Sequence, residues 1–115
     1  MRYVLLLTFF VVTLGGVLVG KSMARQPYNI STRSAAELYS KNCASCHGKD
    51  GRAKTFKGKL KHARDLADAE WQGRVSDERI FNSIINGKGK MPAYGKKFSE
   101  QEIDALVAYV RGLKK

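Results

Sequence analysis

Apolar residues recur along this chain in two ways, and each predicts a different kind of element. From Val4 to Val19, sixteen residues carry only apolar side chains, Gly and Thr, with no polar face. Later stretches instead repeat apolar positions every three or four residues, the spacing of one helix face. Ile80, Phe81, Ile84 and Ile85 do so after Ser76, Asp77 and Glu78, whose acids suit the positive end of a helix, and Gly87 stops the run. Ile103, Leu106, Val107 and Val110 repeat the pattern between Ser99 and Gly112, and Ser99 with Glu102 fits a capping box. Ser34 with Glu37 has the same capping spacing and predicts a short helix to about Asn42. One further turn is predicted around Trp71, over Asp68 to Gln72. No stretch alternates as a strand would, so the pattern predicts an all-α domain over residues 34–115, with three to four short helices and long loops at 48–67 and 87–98.

The unpatterned run lies outside that domain. Arg2 precedes it, and Lys21 and Ser22-Met23-Ala24 follow, the layout of a secretory signal cut after a small residue. A membrane span needs roughly 17 to 25 residues, so an uncleaved anchor that associates residues 4–20 with a membrane is the alternative. Residues 1–24 are therefore read as a signal peptide or N-terminal anchor. No Cys follows the run to take a lipid. Residues 25–33, with Pro27 and Asn29, show neither period and read as a linker. Either way the domain is expected in the periplasm or another extracytoplasmic space, soluble after cleavage or anchored.

Composition narrows the class. The 115 residues have room for one core, and 43% hydrophobic content argues against disorder. The formal charge is +11, and without Arg2 and Lys21 there remain 19 basic against 10 acidic residues, or +9. Between Lys49 and Arg64 seven cations face one acid, Asp50, and Lys88, Lys90, Lys96 and Lys97 flank the second long loop. Nucleic acid is not an expected partner, because aromatic residues are not interleaved with the cations and an exported chain has little access to it. The cations are expected instead to steer a monomer toward acidic redox proteins in transient complexes, the bland alternative being solubility alone.

A domain of about 80 residues with short helices and long loops buries little apolar surface, and such domains lean on a metal, disulfide or cofactor. Cys43 and Cys46 are the only cysteines, and His47 follows at once. This is the attachment pattern of c-type haem, in which each thiol adds to one porphyrin vinyl group while the next residue offers imidazole to iron. A redox Cys-x-x-Cys pair has no need of His47 and normally sits in an α/β domain. A zinc site would have to use His62 as its fourth ligand, with Cys46 and His47 awkwardly adjacent. A disulfide across two residues would constrain the unfolded chain little. For the other iron face, Met91 is the one methionine beyond the export segment, and it stands in a Gly-rich loop before Pro92. A gap-filling core methionine is the alternative role, and His62 the rival ligand.

From Ser34 to Gly112 the chain resembles class I cytochrome c of the small bacterial type. The resemblance is carried by Ala35, Tyr39, the Cys43-Ala44-Ser45-Cys46-His47 motif, Asp65-Leu66, Met91-Pro92-Ala93-Tyr94, and Leu106 to Tyr109. It implies a fold in which the first and last helices cross, with Ala35 and Tyr39 meeting Leu106 and Tyr109, and one haem c enclosed by the Met91 loop. Trp71 resembles the family's tryptophan beside a haem propionate, a plain core role being the alternative. Many relatives have a proline before the Asp-Leu pair, where a carbonyl accepts the N–H of the iron-bound histidine. Here the sequence is Lys61-His62-Ala63-Arg64, and the acceptor is left unassigned. With His47 and Met91 both on iron there is no open position for a substrate, so the expected function is electron transfer rather than catalysis. A haem subunit dedicated to one extracytoplasmic oxidoreductase is the alternative.

Overall fold

Four of the start signals in the sequence open helices in a computed structural model that describes residues 33–115. The described residues form α1 (Ala35–Asn42), α2 (Ala44–His47), α3 (Phe56–Lys61), α4 (Ala69–Arg74), α5 (Asp77–Asn86) and α6 (Glu100–Arg111). No strand is found among them, in keeping with the all-α expectation. Residues 1–24, and the linker short of Arg33, lie outside the described residues. Among the described residues no helix is long and apolar enough to cross a membrane.

The four N-caps expected from the sequence all form, and one of the two expected capping boxes is incomplete. Ser76 Oγ accepts from the Arg79 N–H, Asp68 Oδ1 accepts from the Trp71 N–H, and Ser99 and Glu102 form the complete reciprocal box. At α1 only half of the expected box forms: Ser34 Oγ accepts from the Glu37 N–H, but the Glu37 carboxylate takes Lys41 at 2.6 Å instead of reaching back. Lys41 stands four residues on, along the same exposed face, and competes for the carboxylate.

Six helices replace the predicted three to four. Short α2 continues the chain from α1 beyond Cys43, and α3 lies inside the stretch expected to be a loop. Helix α3 has no apolar inner face to reveal it, because that face is a glycine and its two apolar residues, Phe56 and Leu60, are exposed. A Cβ at Gly58 would run into the Cys46 carbonyl, so only glycine lets α3 lie this close to α2. Thr55 caps it, with its Oγ1 accepting from the Gly58 N–H.

The core forms where α6 crosses α1 and α5. Leu38, Tyr39, Ile103 and Leu106 are the most deeply buried side chains. The Tyr39 and Tyr109 rings meet at 4.8 Å between centroids, and the Tyr39 hydroxyl donates to the Gly48 carbonyl at 2.8 Å. Ala35 is only half-buried, so Leu38 supplies the deeper contact from α1. The predicted loop at 87–98 contains no helix. It is shaped by a tight turn in which the N–H groups of Lys88 and Met91 donate to each other's carbonyls at 3.1 and 2.9 Å. Gly87 enters this turn at φ 72°, where a Cβ would lie 2.6 Å from the Met91 carbonyl.

Candidate functional site

The helices leave a cavity of about 610 Å³ whose wall includes Cys43, Cys46, His47 and Met91. That size falls within the roughly 300–1,000 Å³ of small-molecule and cofactor sites. Helix α2 and the residue before it supply the two thiols and the imidazole. The turn after α5 supplies Met91 and Pro92, and Leu66, Ile80, Ile84, Leu106 and Val110 form an apolar lining. Lys57, Lys61, Arg64, Arg74, Arg79, Lys88 and Lys90 add cations to the same wall. The four residues singled out in the sequence, 48 positions apart at their extremes, thus share one space.

Both cysteines are half-buried, and no disulfide joins them. Burial pushes the Cys43 thiol up to about 11, with the charge of Cys46 adding to the shift. A redox cysteine needs the opposite, a thiolate favoured at neutral pH, so the environment of Cys43 does not suit the thiol–disulfide alternative. Among the described residues no group of three or more His, Cys, Asp and Glu side chains gathers as the zinc alternative would require.

His47 is set by a main-chain contact. Its Nδ1–H donates to the Arg64 carbonyl at 2.9 Å. Since a carbonyl only accepts, the proton belongs on Nδ1 and the free lone pair on Nε2. Burial lowers the His47 pKa, against which the Arg64 carbonyl pulls upward, and the neutral ring that burial favours is the form that binds a metal. The acceptor missing from the sequence analysis is therefore the backbone of Arg64. No side-chain signal could have marked it.

Met91 is half-buried, packs against the hydrophobic core and lines the cavity. Its segment is tied down on several sides. The N–H groups of Tyr94 and Gly95 donate to the Ile84 and Ile85 carbonyls at 2.9 and 3.1 Å. The Tyr94 hydroxyl donates to the Asn42 carbonyl at 3.1 Å, and Lys97 Nζ donates to Asn42 Oδ1 at 2.7 Å. Lys90 Nζ reaches the Leu60 carbonyl of α3 at 3.1 Å. His62, the rival candidate, also lines the cavity, but as the exposed cap of α3 in a left-handed conformation. Trp71 lines the cavity and packs on the core, which accommodates both of its expected roles.

Sequence reasoning passed over Gln72, which is buried and ties together two residues of the cavity lining, Leu66 and Val110. Its Nε2 donates to the Leu66 and Val110 carbonyls, both at 2.8 Å, while its Oε1 accepts from Arg111 Nη1 at 2.9 Å. Arg111 goes on to the Val75 carbonyl and Asp77, so α4, α5 and α6 meet at this pair.

These donors fit a covalently attached haem: two thiols and an imidazole from one short segment, a thioether on the same cavity, an apolar lining, and cations that suit propionates. The comparisons agree. Residues 31–110 match the family model described as "Cytochrome C oxidase, cbb3-type, subunit III". A cytochrome c6 from Nostoc sp. is 32% identical over 104 residues, covering 90% of each chain. The cbb3-type cytochrome c oxidase subunit FixP of Azorhizobium caulinodans is 34% identical over 84 residues, but these are 72% of this chain and 27% of the relative. The chain thus spans about a quarter of the FixP relative and most of the cytochrome c6. The solved structure of the KustC0563 c-type cytochrome superposes with a TM-score of 0.66 at 42% identity, covering 72% of this chain and 100% of that one.

Proposed function

We propose a function that proceeds from one premise: this chain belongs to the monohaem cytochrome c family. From it we infer an extracytoplasmic carrier of single electrons, with one haem c held by thioether bonds from Cys43 and Cys46 and by iron bonds from His47 and Met91. When bound, that group supplies reversible one-electron exchange at iron. The observation that carries the reading is the single cavity lined by all four residues.

The chain's own residues account for the rest. His47 offers the Nε2 lone pair because the Arg64 carbonyl occupies its other nitrogen. Met91 contributes a soft thioether, which favours ferrous iron, from a turn tied to α1, α3 and α5. The apolar lining excludes water and disfavours the extra charge of the ferric state, so the potential is expected to be moderately high. Two protein ligands leave no iron position for a substrate, which supports a carrier over an enzyme. The cations on the cavity wall suit an acidic redox partner met transiently, with an association rate that falls as salt rises. Export through residues 1–24, as leader or anchor, brings the domain to that partner.

A second reading, a haem subunit dedicated to one oxidase, is favoured by the description of the matching family model and by the FixP relative. The near full-length correspondence with cytochrome c6 favours the freestanding carrier. The spectrum of the purified holoprotein in reduced alkaline pyridine tests the common core of both: haem c that resists acid extraction is expected, and extractable haem, or none, would overturn it. Co-purification of the native protein with an oxidase would favour the second reading.

A further inference from the structure

We propose that the outward face of α3, centred on Phe56 and Leu60, is the surface on which an acidic redox protein docks. The proposal rests on the carrier reading and names the contact surface that reading requires.

Phe56 is 80% exposed and Leu60 59% exposed, in a domain that otherwise buries its large apolar side chains. A single exposed apolar residue is ordinary. Here two stand four residues apart on one short helix, and the packing of that helix fixes their direction. Gly58 faces inward, where a Cβ would run into the Cys46 carbonyl. At about 100° per residue, Phe56 and Leu60 each project about 200° around the axis from Gly58, directly outward. Folding explains why these positions face solvent. It does not explain apolar residues there.

The neighbouring face of the same helix belongs to the site. Lys57 and Lys61, one position round from Phe56 and Leu60, line the cavity. Lys90 Nζ bonds the Leu60 carbonyl, so the ridge is also braced against the Met91 turn. A protein seated on Phe56 and Leu60 therefore lies beside the cavity wall, where electron exchange needs it.

Charge selects the occupant. Lys54, Lys57, Lys59 and Lys61 lie in or next to α3, with Arg52 and Arg64 on its flanks. The one acid of the region, Asp50, is turned to the Arg52 N–H at 3.1 Å. A second copy of this chain would set cations against cations, which disfavours a dimer through this face. An acidic surface with an apolar centre is complementary: the lysines steer the encounter, and Phe56 and Leu60 supply the dry contact that holds it. An anionic lipid surface offers the same charge, but a six-residue helix with two apolar side chains is a small anchor, and a lipid does not take an electron.

The test uses the full-length holoprotein in its ferrous form, oxidised in parallel by the combined membrane and periplasmic fraction of the source cells and by ferricyanide. Ferricyanide is a small anion with no apolar face, so the ratio of the two rates isolates the protein contact. In Phe56→Gln/Leu60→Gln that ratio is expected to fall about tenfold, with the salt dependence retained. In Lys57→Gln/Lys61→Gln the salt dependence itself should flatten. A ratio for Phe56→Gln/Leu60→Gln within about twofold of the unsubstituted protein would overturn the docking surface and leave the carrier reading standing. Loss of binding to phosphatidylglycerol vesicles in that variant, with the ratio unchanged, would assign the face to lipid instead. If the cell fraction oxidises not even the unsubstituted protein, the carrier reading fails, and the docking surface with it.

Discussion

The Nδ1–H of His47 donates to the main-chain carbonyl of Arg64 across 2.9 Å, joining α2 to a segment seventeen residues on. Because the acceptor is backbone and the Arg64 side chain is exposed, the identity of residue 64 matters little to this bond. Arg64→Ala is therefore expected to leave the His47 Nδ1–H resonance of the holoprotein in place in its NMR spectrum. Loss of that resonance would show that the guanidinium, and not the carbonyl, sets the ring.

Met91 is proposed as the second iron ligand, and its removal separates that role from core filling. Met91→Ala is expected to lower the reduction potential and to let carbon monoxide bind the ferrous protein, measured by potentiometric titration and by the absorption spectrum. A core methionine would instead give lower stability with the potential and the spectrum unchanged.

The Gln72 amide serves two carbonyls and one guanidinium at once, so its loss leaves polar groups unpaired. Gln72→Leu keeps similar bulk but leaves the Leu66 carbonyl and one Arg111 donor unpaired, and the Val110 carbonyl with only its main-chain partners, among them the Leu113 N–H. Unfolding by urea should show a loss of about 2–4 kcal/mol. A loss under about 1 kcal/mol would mean that water replaces the amide without penalty.

Acid stability depends on Glu102. The Arg33 guanidinium, and after it the Ser99 N–H, hold its carboxyl below the usual carboxylate range. A carboxyl whose pKa is lower folded than unfolded stabilises fully above the unfolded value of about 4.3, and that stabilisation is lost as pH falls through the folded value. Urea midpoints followed from about pH 6 down to about pH 2 should therefore fall more steeply in the wild type than in Glu102→Gln. Equal slopes would mean that the pair with Arg33 persists in the unfolded chain or contributes nothing. Glu37, lowered in the same direction by Lys41, leaves some slope in both proteins.

The sequence was most legible where a single turn of chain contains the whole reason. Ser99 and Glu102 sit three apart and form the capping box that their spacing predicts. Ser34 and Glu37 have identical spacing but form half of it, since Lys41 offers the carboxylate a nearer partner. Helix α3 was missed because the pattern that reveals a helix is an apolar inner face, and here that face is Gly58.

By itself the sequence determined the attachment motif at Cys43 to His47, the candidate status of Met91, the bounds of α1, α5 and α6, and the excess of cations. All of these depend on residue type and on spacings within a few turns. The tertiary structure alone decided that Arg64 offers its carbonyl to His47, that Gln72 and Arg111 join three helices, and that Phe56 and Leu60 face outward beside the cavity. The hydrogen bonds among them carry a side chain to a main-chain carbonyl, or to another side chain, 17 to 39 residues away. Every residue but proline carries the same peptide N–H and C=O, so composition and period cannot say which of them will meet.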